Sequence, residues 1–228
     1  MSVINSAGKL LGSFAVTGSK NRDWEDIASG PGGDGSPALY IGDIGNNLLS
    51  KELHVIYRVR EPDLSGGNFS GTTEPAEAFP FRYPDGRHNA EALFVDPDSG
   101  RIYIVTKTRH FPCGVYRFPL PLRREKEVVL EKMEGVPIQK ISELRHVTGA
   151  AAALDGSRVV IRTYSIALEL RRAEGGDFET IFRVDPVTIN MPDQRQGEAI
   201  AYSPDGESLI TTGEHLPAPI FRLTHYER

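Results

Sequence analysis

Short apolar runs separated by turn residues make up most of the chain. The runs are rich in Val, Ile, Tyr and Phe, and Gly, Pro, Asp and Asn bound them, which is typical of β-strands joined by tight turns. Residues 122–134 are charge-rich and have some helical character, but they fit an outer strand with its flanking loop better. We therefore predict an all-β domain with strands at residues 38–41, 54–59, 92–95, 101–106, 115–118, 158–163, 198–202 and 220–223.

One sequence unit occurs four times along the chain. In each copy an acidic or polar residue and a small residue precede an apolar run, a Pro, Asp or Gly turn follows, and a second apolar strand ends in polar residues. The copies begin near residues 24, 90, 147 and 197, at spacings of 50–66 residues. Each interval accommodates the hairpin and at least one further strand, and four strands per unit is typical of a β-propeller blade.

The two ends of the chain predict how the ring closes. The last copy ends after a third strand, while residues 9–16 form a strand that precedes the first copy. We predict that residues 1–228 form a single β-propeller domain with four blades of four antiparallel strands. Strand 9–16 would complete the last blade, and a fifth blade is the alternative if one unit is degenerate.

The composition disfavours several classes of partner. The 228 residues include 26 Lys and Arg against 31 Asp and Glu, a net charge of −5, whereas a nucleic-acid groove normally shows a basic excess. No apolar run approaches the roughly 18 residues that a membrane helix needs, and the N-terminus lacks a signal-peptide pattern. We expect no nucleic-acid or membrane partner, and a cytoplasmic protein, or an exported one if an N-terminal segment precedes this sequence.

Several short motifs are shared with known propellers. The most distinctive is Asn-Arg-Asp-Trp-Glu-Asp-Ile-Ala at residues 21–28. The others lie at residues 40–47, 83–86, 89–93, 105–107, 162–164 and 196–201. Together they resemble a family of largely uncharacterised bacterial β-propeller proteins, distantly similar to the phytase-like and esterase-like propellers. The resemblance implies the fold between about residues 21 and 214, and because this family has no settled activity, it implies no function.

The repeat also predicts a polar site at one mouth of the central channel. The first strand of each blade lines the channel, so the residue that opens it lies beside the loop that follows the second strand. The residues that open the inner strands are Glu25, Glu91, Thr148 and Glu198. The residues that end the second strands are Asp43, Lys107, Tyr164 and Glu214, and their near neighbours are Asp26, Asn46, Arg162 and His215.

Three glutamates around one axis repel one another, so we expect a raised pKa or a bound cation among them. Lys107 and Arg162 offer one compensation, as partners in a static ring of ion pairs. A hard divalent cation such as Ca²⁺ offers the other, because it binds several oxygen ligands. The predicted metal ligands are Glu25, Asp43, Glu91, Glu198 and Glu214.

The leading hypothesis is a propeller that binds a small polar ligand at this mouth, through a divalent cation, with metal-assisted hydrolysis of an ester or phosphoester as its reaction. The predicted catalytic residues are Glu91, Glu198, Lys107 and Arg162. The predicted ligand-binding residues are Glu25, Asp26, Asp43, Asn46, Tyr164 and His215. A purely structural role is the alternative for the glutamates, as acceptors for the backbone of the neighbouring blade.

The alternative function is a non-catalytic scaffold that binds another protein through apolar segments such as residues 111–112 and 120–122. Other chemistry finds little support in the motifs. Residues 30–35 fit G-x-G-x-x-G, but a strand follows instead of the helix that a nucleotide cofactor needs. The only cysteine, Cys113, excludes an intrachain disulfide, and the six histidines show no close metal-ligand spacing.

Overall fold

The structure is a computed structural model that describes residues 1–108, 113–136, 138, 146–194 and 196–224. Within these ranges the regular structure consists of β-strands and a short 3-10 helix, Phe178–Arg183. The strands form five sheets, the blades of an all-β propeller. No helix in the described ranges is long and apolar enough to cross a membrane.

The blades are numbered by their first strand along the chain. The first blade contains β1 (Ser2–Ile4), β2 (Leu10–Ala15) and β6 (Gly71–Thr72). The second contains β3 (Trp24–Pro31), β4 (Pro37–Asp43), β5 (His54–Arg60), β7 (Glu77–Arg82) and β11 (Val128–Val129). The third contains β8 (Asn89–Val95), β9 (Ile102–Lys107), β10 (Val115–Arg117) and β12 (Glu131–Met133). The fourth contains β13 (Val147–Ala152), β14 (Arg158–Thr163), β15 (Ile166–Arg171) and β16 (Val187–Asn190), and the fifth contains β17 (Gly197–Tyr202), β18 (Ser208–Gly213) and β19 (Phe221–Thr224).

The core lies between neighbouring blades. Successive side chains of a strand point to opposite faces of its sheet, so a blade with a neighbour on both sides is apolar on both faces. All seven residues of β8 are buried for this reason. The apolar clusters are centred on Phe79 and Leu93 between the second and third blades, on Phe94 and Leu168 between the third and fourth, and on Val160 and Ile200 between the fourth and fifth.

Each of the inner strands β3, β8, β13 and β17 has a β-bulge near its start. The extra residue is Glu25 in β3, Glu91 in β8 and Thr148 in β13, and in β17 it lies between Gly197 and Ile200. A bulge leaves its extra residue outside the regular ladder and re-aims the side chain. The polar position that repeats in the sequence is therefore the position at which each inner strand departs from regular pairing.

Asp26 connects the inner strands of three blades. Its Oδ2 atom accepts hydrogen bonds from the amide of Leu93 in β8, at 2.8 Å, and from the amide of Ala150 in β13, at 3.2 Å. Desolvation raises the pKa of this carboxyl group to about 7, although its backbone hydrogen bonds act in the opposite direction. Asp26, the residue after Glu25, thus has the structural role that was considered for the repeated glutamates: it accepts hydrogen bonds from the backbone of neighbouring blades.

The predicted strands and the propeller fold are confirmed, and of the four or five blades predicted, five are present. Strands β1, β2 and β6 form the additional sheet, which the repeat does not reveal. The pairs β2–β6 and β7–β11 are parallel, so the blades are not wholly antiparallel. Residues 122–134 do contain outer strands, but β11 joins the second blade and β12 the third, so the segment links two blades.

Closure of the last blade by the N-terminal strand is not confirmed. Within the described residues β2 pairs with β1 and β6, and β19 pairs with β18. The β1–β2 hairpin is local, so it closes a far shorter loop than a pairing with β19 would. The first blade approaches the last one at its turn instead, where Gly8 lies beside the side chain of Ile220.

We predict that Asp26→Asn lowers the free energy of unfolding by about 2–3 kcal/mol. The amide group presents a donor where the carboxylate accepts, so a backbone N–H at the blade junction loses its acceptor. Urea unfolding would measure the change. Asp63→Asn, at an exposed aspartate that accepts a hydrogen bond within its own turn, is the matched control. Equal stabilities of the two variants would contradict the structural role of Asp26.

Candidate functional site

Lys107 lies among the charged residues that were predicted for the mouth of the channel. The Nζ atom of Lys107, at the end of β9, lies 2.5 Å from Oε2 of Glu91 and 2.7 Å from the phenol oxygen of Tyr164 in the next blade. Desolvation lowers the pKa of Lys107, but these two hydrogen bonds outweigh it and the pKa is raised overall. Lys107 therefore stays charged and joins the third blade to the fourth at the predicted site.

Glu25 and Glu198 face the same charge cluster without an ion pair of their own in the described part of the chain. Burial raises the pKa of Glu25 to about 8, and repulsion from Glu91 and Asp23 adds to it. Burial also raises the pKa of Glu198 to about 7, against the opposing attraction of Lys107. At neutral pH Glu25 is therefore mostly protonated, and Glu198 is near the midpoint of its titration.

Local sequence explains how Glu25 reaches this position. Gly45, in the loop after β4, leaves space for the carboxyl group, because a Cβ atom there would lie 2.2 Å from Oε1 of Glu25. Lys51 occupies the other side of the loop, where its Nζ atom contacts Oδ2 of Asp23 at 3.1 Å and the carbonyl oxygen of Gly45 at 2.9 Å. The nearby lysine is thereby paired with Asp23.

A second set of polar residues near the repeated positions was not predicted from the sequence. Asn89 donates a hydrogen bond to Oε1 of Glu91 at 3.3 Å, and Gln196 donates one to Glu214 at 3.3 Å. The ring of His146 stacks on that of Tyr164, with 5.6 Å between centroids. A sequence signal for them exists, because a polar residue stands two positions before every repeated residue: Asp23, Asn89, His146 and Gln196.

Three predicted ligand-binding residues have their polar atoms engaged within the protein. Asp26 spans the inner strands, as described above. Asp43 accepts a hydrogen bond from the amide of Asp23 at 3.0 Å. The side chain of Asn46 accepts one from the amide of Lys51 at 3.0 Å and donates to the carbonyl oxygens of Lys51 and His88 at 2.9 and 3.2 Å. These groups hold the loops around the mouth.

Arg162, predicted as a catalytic residue, is fully buried beneath the start of β17. Its guanidinium occupies the space that a side chain at Gly197 would need, since a Cβ atom there would lie 1.6 Å from Nη2. Nη2 donates to Gln194 at 2.7 Å, and Nη1 donates to the hydroxyl of Thr211. The residue supports the strand that carries Glu198, and attraction to its charge opposes the rise in the pKa of Glu198.

Glu214 and His215 lie exposed at the rim, in the loop after β18. Glu214 contributes to the raised pKa of Glu198, and His215 bonds to the side chain of Gln196. Across the described residues, no group of three His, Cys, Asp or Glu side chains is arranged to hold a metal ion. The predicted carboxylate ligands therefore do not form a ready cation cage, and the divalent cation stays a prediction.

Two cavities lie at the far ends of the strands, away from the mouth. One of about 520 Å³ is lined by Arg58, Arg60 and Arg124 together with Glu74 and Glu77. The other, of about 650 Å³, lies between the β3–β4 turn and residues 120–122. Neither cavity is lined by a predicted site residue. The charges at the mouth, and not an enclosed volume, therefore identify it as a candidate site.

No protein-family model matches this sequence, and no curated protein matches it. Among solved structures, the chain is similar to the nidogen/laminin complex (11% identity over 82% of this chain and 57% of that chain, TM-score 0.47). It is also similar to the periplasmic gluconolactonase PpgL of Pseudomonas aeruginosa (10% identity over 86% of this chain and 56% of that chain, TM-score 0.44). A third match is a provisionally assigned 6-phosphogluconolactonase of Bacteroides uniformis (13% identity over 86% of this chain and 66% of that chain, TM-score 0.43).

The chain spans less than two thirds of the length of each of these three structures. Their identities and TM-scores are too low to assign a family or an activity. Membership of the bacterial propeller family that the motifs resemble therefore stays a prediction.

We predict that Glu25→Gln makes the protein more stable at pH 8.5 and reduces the pH dependence of its stability. The folded-state pKa of Glu25, about 8, lies above the ordinary value of 4.5, so the folded protein holds this proton more tightly than the unfolded chain does. That stabilisation is complete below about pH 4.5 and is lost as the pH rises through 8. Removing the charge should stabilise the protein by about 1 kcal/mol at pH 8.5, allowing for solvent screening.

Urea unfolding at pH 5, 7 and 8.5 tests this expectation. Glu61→Gln, at an exposed glutamate, serves as the control and should leave the pH dependence unchanged. The same slope with pH in the wild-type protein and in Glu25→Gln would show that Glu25 titrates as an ordinary exposed carboxyl group.

Proposed function

We propose that the chain binds a small polar ligand at the mouth formed by Glu25, Glu91 and Glu198 around Lys107. One observation carries the proposal: three acids lie at the bulged ends of three inner strands, and among the described residues only one of them, Glu91, has an ion pair, with Lys107. The buried Arg162 attracts Glu198 without an ion pair to it. Bulges commonly re-aim side chains next to functional sites, and perturbed carboxyl groups cluster at such sites. A purely structural ring would pair its charges, whereas Glu25 and Glu198 carry none of the described ion pairs.

The charges define the ligand class. At neutral pH the mouth holds protons on Glu25 and partly on Glu198, and a ligand with a cationic or hydrogen-bond-donating group can take the place of those protons. Polyhydroxylated or cationic small molecules satisfy this requirement. Lys107 and Tyr164 add donors for a carbonyl, carboxylate or phosphate oxygen on the same ligand.

Hydrolysis of an ester, lactone or phosphoester is the reaction that these groups support. Ionised Glu198 takes a proton from water, and the hydroxide forms a bond to the carbonyl carbon or phosphorus. Lys107 stabilises the negative charge that develops on the substrate oxygen. The bond to the leaving oxygen then breaks, and protonated Glu25 donates its proton to that oxygen. No step is assigned to a divalent cation, because the described acids do not form a cage for one.

A pH-rate profile tests the reaction. We expect turnover of an ester, lactone or phosphoester from a broad panel, with kcat/KM rising as Glu198 ionises near pH 7 and falling as Glu25 loses its proton near pH 8. Glu198→Gln should lower kcat by about 10²–10⁴-fold, the usual contribution of general acid–base catalysis. Glu61→Gln is the matched control, and retained activity in Glu198→Gln would remove that residue from the mechanism.

Cation binding is tested separately, by thermal unfolding of EDTA-treated protein with and without millimolar Ca²⁺, Mg²⁺, Mn²⁺ or Zn²⁺. A ligand that binds only the folded state raises the Tm in a saturable way. If a cation binds at the mouth, the shift seen in the wild-type protein should vanish in the double variant Glu91→Gln, Glu198→Gln. A shift that persists in the double variant would place the cation elsewhere.

A protein scaffold is the second candidate function, and one surface favours it. Leu120 is 40% exposed, and with Pro121 and Leu122 it lines the cavity of about 650 Å³ beside the β3–β4 turn. The other segment considered for this role, residues 111–112, lies outside the described residues. No turnover and no cation-dependent shift would favour the scaffold.

A further inference from the structure

The ring of inner strands has a slot between β17 and β3. Inner strands pack against each other from β3 to β8, from β8 to β13 and from β13 to β17, but no comparable packing joins β17 to β3 in the described residues. The first blade has three strands, in the order β1-β2-β6, and none of them packs substantially against β3 or β17 within the described residues. The third and fourth blades have four strands in the corresponding sheets.

The faces that border the slot are exposed. Ile27 on β3 is 48% exposed and Ser29 is also exposed, while Asp26 and Ala28, which alternate with them, face the third blade. On the opposite side, Ala199 and Ala201 of β17 are exposed, and Ile200 between them is buried against the fourth blade. By contrast, β8, which has a blade on each side, is buried along its whole length.

The first blade covers the outer part of this face and leaves the inner part open. Met1 and Val16 pack against Ile41, Tyr57 and Val59 of the second blade. Strand β6 precedes β7, which lies near the outer edge of the second blade, and β1 is at the opposite edge of its sheet from β6. We infer from this order that β1 is on the side of the axis. The edge of β1 is unpaired in the described part of the chain. It therefore presents backbone groups to any strand that enters the slot.

The charges beside the slot are unbalanced. Glu25 belongs to β3 and Glu198 to β17, so the two acids without described ion pairs are carried by the two strands that flank it. An inner strand between them would place its own bulged residue at the mouth. A lysine or arginine at that position would satisfy both acids.

We propose that this slot binds a two-stranded β-hairpin from a polypeptide other than these 228 residues, with a basic residue at its bulge position. The hairpin adds to the free edge of β1 by backbone hydrogen bonds. Its apolar side chains cover Ile27 and the alanines of β17, and its cation pairs with Glu25 and Glu198. The proposal rests on packing and strand edges. It involves Glu25 and Glu198, which the proposed hydrolysis also uses, but hairpin binding is measured without turnover, so either proposal can fail while the other stands.

A hairpin from this chain provides the probe. Residues 89–107, which form the inner pair of the third blade, are synthesised with the substitution Glu91→Lys, and the control peptide retains Glu91. Binding to the 228-residue protein is measured by calorimetry, and protection of the β1 amides is measured by hydrogen exchange. We expect saturable binding of the lysine peptide, at least tenfold tighter than that of the control, with slower exchange in β1.

Two variants of the protein locate the binding surface. Ile27→Asp introduces a charge into the slot and should abolish binding, whereas Val129→Asp, at a similarly exposed residue of β11, should leave it unchanged. Absence of saturable binding, or equal binding to both variants, would overturn the proposal. Light scattering that shows a dimer with a protected β1 edge would also overturn it, because a second copy would then occupy the slot.

Discussion

The carboxylate of Asp26 is the interaction on which the arrangement of the blades depends. Inner strands converge at the axis of a propeller, and here each of them carries a bulge that interrupts its ladder. Asp26 accepts amide hydrogens from β8 and β13 while it is part of β3. Buried backbone N–H groups require acceptors, so this contact determines how closely the second, third and fourth blades approach one another.

The same bulges determine the chemistry of the mouth. Two adjacent residues of β3 point in different directions. Asp26 accepts hydrogen bonds from the backbone of the neighbouring blades, and Glu25 faces the charge cluster around Lys107. Repetition of that position in β8 and β17 gathers three acids, and Lys107 is placed to neutralise Glu91. Of the other two acids, Glu25 is mostly protonated at neutral pH and Glu198 is near the midpoint of its titration.

The strands, the repeat and the place of the glutamates could all be predicted, because each depends on residues close together in sequence. Alternation of apolar side chains and the Asp-Gly turns identified the hairpins. The fifth blade was predicted only as an alternative to four, because β6 has two residues and its pairing with β2 spans more than 50 residues. Asn89 and Gln196 were not predicted either. Each stands two positions before a repeated residue, but an isolated amide side chain carries no distinctive chemical signal.

The sequence by itself determined the all-β fold, the repeated inner hairpins and the identity of the acids that open them, since strand and turn formation are largely local. Only the tertiary structure decided which charges meet. Lys107 lies beside Glu91 and Tyr164, and Arg162 is buried under Gly197, because strands distant in sequence pack at those positions. Coulomb interaction and desolvation depend on distance and burial, and neither quantity can be obtained from the order of the residues.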